Sequence, residues 1–228
     1  MVRRLAPLLA LALAACSPAP AREAVPAGPS IVSLNPCTDA ILAEVADPGQ
    51  ILAISAYSHD PASSSMDLAM ARRFPAVSGT VEEVVALRPD LVIGSTFMPP
   101  ASVAALGGLG LPLEQFGMAA TVEDSIAQVR RIAALAGHPE RGEALVRRIE
   151  VSLAANAAPP GAPVSALVWQ SGGIVPGEGT LIVDLLRRTG FANAAAARGL
   201  GQADVLPLEA LIAAPPALIL SASHGAGE

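Results

Sequence analysis

Val81-Glu82-Glu83-Val84-Val85-Ala86-Leu87-Arg88-Pro89-Asp90-Leu91-Val92-Ile93 sets a short helix directly against a buried strand, and the chain repeats this arrangement. Leu208-Glu209-Ala210-Leu211-Ile212-Ala213-Ala214-Pro215-Pro216-Ala217-Leu218-Ile219-Leu220 aligns with it without a gap. In each copy a Glu sits at the helix start, where the positive end of the helix dipole favours a carboxylate. A Pro then closes the helix and an apolar strand returns to the sheet. Read singly, Glu82 and Glu209 are helix-start residues. Their equivalence in two halves of one chain adds a second reading, a pair of acids facing one partner.

Working outward, strands are expected at 31–34, 51–54, 91–93 and 113–116, and helices at 38–45, 66–73, 81–87 and 101–109. Strands that alternate with helices imply a parallel sheet, so residues 30–120 read as one α/β lobe. Residues 121–158 carry no strand signal, only apolar positions at helical spacing. Pro139 divides them into two helices, the second running over 139–157 and long enough, at about 28 Å, to bridge two lobes. Ala158-Pro159-Pro160-Gly161-Ala162-Pro163 is a linker. Beyond it a strand at 164–169, helices at 180–189 and 208–213 and a strand at 218–220 make residues 163–228 a second α/β lobe.

The start of the chain carries a different message. Met1-Val2-Arg3-Arg4 precedes an uncharged apolar run from Leu5 to Ala15, the pattern of an export signal over residues 1–15. Eleven residues cover only about 16 Å, too short to span a bilayer. The run closes on Leu13-Ala14-Ala15-Cys16, which resembles the lipobox of bacterial lipoproteins, and this implies a lipid anchor on Cys16. The alternative is an ordinary secretory signal with Cys16 incidental. Residues 16–29 are rich in Pro and Ala and read as a tether.

Composition narrows the function. All 14 basic residues are Arg, so a P-loop lysine and a Schiff-base lysine are excluded. Without Arg3 and Arg4, 12 basic residues face 20 acidic ones, a formal charge of −8 that disfavours nucleic acid. With Cys16 acylated, Cys37 is the one thiol left, and no internal disulfide forms. Hydrophobic residues make up 52% and aromatic ones only 3%, a balance that suits helix-rich α/β packing. Gly108-Leu109-Gly110 precedes a strand instead of opening a helix, so a dinucleotide site is not expected.

Ile31-Val32-Ser33-Leu34-Asn35-Pro36-Cys37-Thr38-Asp39-Ala40-Ile41-Leu42, then Glu82 with Leu87 to Ile93, then Gly190-Phe191-Ala192-Asn193 and Leu208-Glu209, resemble the periplasmic cobalamin and ferric-siderophore binding proteins of ABC importers. The resemblance covers residues 30–221. It implies an α/β fold of two Rossmann-like lobes with central parallel sheets, joined by a long rigid helix, and a ligand held between the lobes. It further implies no enzymatic activity, no cofactor, a corrinoid or ferric chelate as cargo, and a monomer. The family's two lobe-surface glutamates, which dock on permease arginines, fall by motif position on Glu82 and Glu209; Glu83 is one residue out of register. Two departures stand out. Ala217 replaces the Asp that follows Pro in the first copy. Relatives also continue with further strand and helix beyond 220, so an incomplete second lobe over 163–228 is one expectation.

In α/β sheets ligands collect beyond the carboxyl ends of strands. The loops there supply Asn35 and Pro36, then Tyr57, Ser58 and His59, then Phe97 and Met98, then Trp169, Gln170 and Ser171 as candidate ligand residues. Each has a plain alternative: a helix cap for Asn35, an exposed polar loop for Tyr57, a core position for Trp169. Cys37 is expected to be a small buried hydrophobe, and His138 a solvated loop residue. His224 is a further, weaker candidate. Gly177-Glu178-Gly179-Thr180 reads as a loop with Thr180 capping the next helix. No metal site is expected, because three scattered His do not converge. Two competing functions remain at this stage: an importer protein for free zinc or manganese, and a secreted hydrolase, for which no nucleophile elbow exists.

Overall fold

A computed structural model describes residues 28–221. The N-terminal lobe alternates β1 (Ile31–Ser33), α1 (Pro36–Val45), β2 (Ile51–Ser55), α2 (Leu68–Ala71), β3 (Ala76–Val77), α3 (Val81–Leu87), β4 (Leu91–Ser95), α4 (Pro100–Gly108) and β5 (Leu113–Phe116). Its five strands are all parallel, in the order β3-β2-β1-β4-β5. Successive side chains of a strand point to opposite faces, so this sheet buries two cores. Ile31, Leu91 and Ile93 pack with α1 and with Ile132 and Ala133 on one side. Val32, Ala53 and Val92 pack with Val84 and Leu106 on the other.

The helix expected over 66–73 forms only from Leu68 to Ala71. Asp67 fixes its start by accepting from the Ala69 and Met70 amides, and Pro75 lies too close downstream for a longer helix to run on. Two helices follow, α5 (Val122–Leu135) and α6 (Pro139–Ala155). Gly142 of α6 is buried against Ala133 of α5, where a Cβ would collide, and this lets the two helices approach closely. The longer helix therefore lies along α5 and α1, and residues 156–163 carry the chain to the second lobe.

That lobe contains β6 (Val164–Trp169), β7 (Ile174–Val175), α7 (Leu181–Arg188), β8 (Phe191–Asn193), β9 (Asp204–Val205), α8 (Leu208–Ala213) and β10 (Leu218–Ser221). A parallel sheet of order β10-β6-β8 and a small antiparallel β7-β9 pair enclose Leu167, Val175, Leu206 and Leu211. The repeated helix-strand units occupy equivalent places as α3-β4 and α8-β10, each strand pairing in parallel with the first strand of its lobe. The two-lobe α/β reading holds. Cys16 and His224 lie outside the described residues.

Candidate ligand cleft

The N-terminal sheet reverses its strand order between β1 and β4, and the loops leaving those strands open a crevice at such a switch point. After β1, Asn35 caps α1, its Oδ1 accepting from the Cys37 amide at 2.8 Å. Thr38 donates to the Asn35 carbonyl at 2.9 Å and meets Ser33 at 2.8 Å, which locks the loop. The Asn35 Nδ2 group has no partner among the described residues. After β4, Ser95 accepts from the Phe97 amide, and the Phe97 ring is 72% exposed. Met98 turns back over Gly94, where any side chain would collide with its sulfur.

Asn35 and Phe97 face Gln170, Thr180, Leu181, Ile182 and Gln202 of the second lobe across a cleft of about 730 Å³. Cys37, Thr38, Ser95, Phe116, Met118, Ser125 and Gln128 complete its N-terminal wall. Thr180 donates to the Gly177 carbonyl at 3.0 Å and caps α7, so the glycine-rich loop ahead of it is shaped from within. Gln202 reaches the Gly179 carbonyl at 2.9 Å. Among the described residues that line the cleft, not one is Asp, Glu, Arg or His. Its polarity comes from amides and hydroxyls, and its apolar surface from Phe, Leu, Ile and Met.

Of the sequence candidates, Asn35, Phe97 and Gln170 meet in this cleft; the others do not line it. Pro36 occupies the first turn of α1. Tyr57, Ser58 and His59 leave β2, one strand away from the switch point. Tyr57 is 63% exposed there, Ser58 is buried and donates to Asp39 at 2.6 Å, and His59 reaches the Ala71 carbonyl at 3.1 Å. Trp169 packs half-buried on the second core, and Ser171 is exposed in the following turn. Two other readings need correction. Cys37 is exposed and lines the cleft, because the second position of α1 points out of the sheet layer. His138 is buried, its Nε2 donating to Gln50 at 2.8 Å, while Gln50 itself donates to the Ala136 carbonyl and accepts from the Asp47 amide.

Sequence reasoning missed Thr180, Gln202, Ser125 and Gln128. Thr180 carried a legible signal as a cap beside a glycine loop; the other three had none, since nothing local distinguishes them.

Behind the cleft, Asp39 of α1 is fully buried. Its Oδ2 accepts from the Ser55 amide at 3.0 Å and the Ser58 hydroxyl at 2.6 Å, and Oδ1 has no partner. Desolvation raises this carboxyl to about 7, against the pull of the Ser58 hydroxyl and the Ser55 amide. Glu82 and Glu209 stand exposed in the first turns of α3 and α8, outside the cleft lining and with no side-chain partner among the described residues. Glu83 is committed elsewhere. Its carboxylate accepts from Ser78 and Thr80 in a capping box. No cluster of three His, Cys, Asp or Glu able to hold a metal exists among the described residues.

A family model described as "Periplasmic binding protein" matches residues 31–228, and the chain belongs to that family. Its members are substrate-binding proteins that act outside the cytoplasm, not enzymes. No curated protein matches. Among solved structures, a periplasmic heme-binding protein of Roseiflexus sp. RS-1 is 25% identical, with a TM-score of 0.69 over 85% of this chain and 76% of that one. A periplasmic heme-binding protein of Vibrio cholerae is 18% identical, with a TM-score of 0.70 over 84% and 75%. A periplasmic vitamin B12-binding protein of the same organism is 19% identical, with a TM-score of 0.66 over 86% and 77%. The last two likenesses concern the fold.

Proposed function

We propose that this chain captures a corrinoid in the interlobe cleft and delivers it to the permease of an ABC importer. The observation that carries this reading is the lining of the cleft. A volume of about 730 Å³ lies within the range of small-molecule sites. Burying a ligand's carboxylates or catecholate oxygens here would leave them without a cationic partner, at a cost of several kcal/mol or more. A corrinoid presents a flat macrocycle ringed by amides, and the cleft answers with Asn35, Gln128, Gln170 and Gln202 for the amides and Phe97 for the ring face. Ferric siderophores, the other cargo of such proteins, are disfavoured by the same lining.

Haem is the second reading, because two sulfur side chains of kinds that ligate haem iron, Cys37 and Met118, reach the cleft. Titrations of the purified protein with cyanocobalamin, hemin and a ferric tricatecholate, read by Trp169 fluorescence and visible absorbance, separate these cargoes. Saturable binding of cyanocobalamin alone is expected. Tighter binding of hemin, with an altered Soret band, would reverse the assignment.

Docking to the permease is assigned to Glu82 and Glu209, whose carboxylates stand ready on equivalent surfaces of the two lobes. Lipidation of Cys16 would hold the protein at a membrane on the 16–29 tether and raise its local concentration at the permease.

A further inference from the structure

None of the buried hydrophobic clusters among the described residues is shared between the lobes. Polar contacts tie α7 of the second lobe to α5. Asp184 Oδ2 accepts from the Val122 amide at 2.9 Å, capping the first turn of α5 from another element. Arg188, one turn on, donates through Nε to the same Asp184 oxygen at 2.9 Å and through Nη2 to both oxygens of Glu123, at 2.7 and 2.6 Å. The Arg188 carbonyl also accepts from the Ala158 amide at 2.8 Å, which ties down the chain that leaves α6.

Both helices in this network carry cleft residues: Ser125 and Gln128 on α5, Leu181 and Ile182 on α7. We infer that Asp184 and Arg188 are positioning residues that fix the separation of the two cleft walls, so that the ligand meets a preformed site. The guanidinium suits this role because its planar fork serves two carboxylates at once, which an ammonium cannot do with the same geometry. Asp184 is well placed too: a carboxylate at the start of a fourteen-residue helix is favoured by the helix dipole as well as by the Val122 bond. The inference rests on the cleft being the ligand site, and not on which ligand fills it.

The test compares wild type with Arg188→Ala, Arg188→Lys and Asp184→Ala. Ligand-free protein is followed by hydrogen exchange at the Val122 amide and by small-angle scattering; ligand-loaded protein is followed by cyanocobalamin titration. In Arg188→Ala and Asp184→Ala, Val122 exchange is expected to quicken about tenfold and the scattering radius to grow. Cyanocobalamin affinity is expected to fall about tenfold, as when the binding-competent population drops to a tenth. Arg188→Lys should recover part of each effect. Unchanged exchange and scattering in a folded Arg188→Ala protein overturns the inference, and so does a loosened protein with undiminished affinity. A wild type that ignores cyanocobalamin while Arg188→Ala loosens the lobes would instead refute the corrinoid assignment and leave the positioning of the walls supported. Should Asp184→Ala fail to fold, the two Arg188 variants decide the matter.

Discussion

Replacing Asp39 with asparagine is expected to remove a pH dependence that the wild-type protein carries in an unusual direction. The buried carboxyl titrates at about 7 in the folded protein against an ordinary value of 3.8. The folded state therefore keeps a proton that the unfolded chain has already lost. Its contribution to stability is full below about 3.8, declines as pH rises through this window, and levels off above 7. Roughly three pH units at 1.36 kcal/mol each put the whole effect near 4 kcal/mol, of which roughly 2–3 kcal/mol falls between pH 5 and pH 8. Groups with depressed values, Glu83, Asp90, Glu143 and Asp184, act in the opposite sense, losing stabilisation only as the solution becomes acidic.

In the Asp39→Asn protein the side chain keeps an oxygen for the Ser55 and Ser58 donors and places an amide where Oδ1 has no partner. Because Thr38 donates to the Asn35 carbonyl, the Ser33 hydroxyl donates to Thr38 and keeps lone pairs to offer. Urea unfolding followed by circular dichroism at pH 5 and pH 8 provides the assay. Wild type should lose roughly 2–3 kcal/mol more than Asp39→Asn between the two conditions. Equal losses in the two proteins would show that the carboxyl is ionised throughout, and that its burial is compensated by something other than a proton.

Three further outcomes are expected. Phe97→Ala and Gln170→Ala should each weaken cyanocobalamin binding about tenfold, with the unfolding midpoint unchanged; Tyr57→Ala, outside the cleft lining, should leave affinity as it is, and a loss there would move the site toward β2. Glu82→Arg with Glu209→Arg should abolish uptake in cells while binding in solution persists; impaired binding would make the two acids structural. Thr80→Ala should cost about 1 kcal/mol in thermal or urea unfolding by removing the cap of α3, whereas no change would mean that the Glu83 half of the box suffices.

The fold was legible where local chemistry and burial agree. The α3 and α8 boundaries, β4 and β10 follow from Pro stops and apolar runs that nothing else in the molecule contests. The short strands β3, β7, β8 and β9 were not legible, because two- and three-residue strands form when a partner edge is present and carry no period of their own. His138 shows a similar limit. Its turn looks solvated in sequence, yet Gln50, 88 residues earlier, draws it inside. The cleft was half readable. Strand exits pointed to Asn35, Phe97 and Gln170, but strand order decides which exits converge, and only the sheet reveals that β2 stands off the switch point. Tyr57 and His59 looked well suited to a ligand by residue type, while their position at the exit of β2 sets them apart from the cleft lining.

Cys37 gives the cleft a built-in reporter. It is the one thiol among the described residues, it is exposed, and it sits on the wall of the cleft. In a preparation that begins after Cys16, a maleimide dye would attach at this single place and, under the proposed reading, stand within a few ångströms of bound cargo. A corrinoid absorbs strongly in the visible and would darken such a dye on arrival, so the protein can be turned into an optical sensor of its own loading without a single substitution.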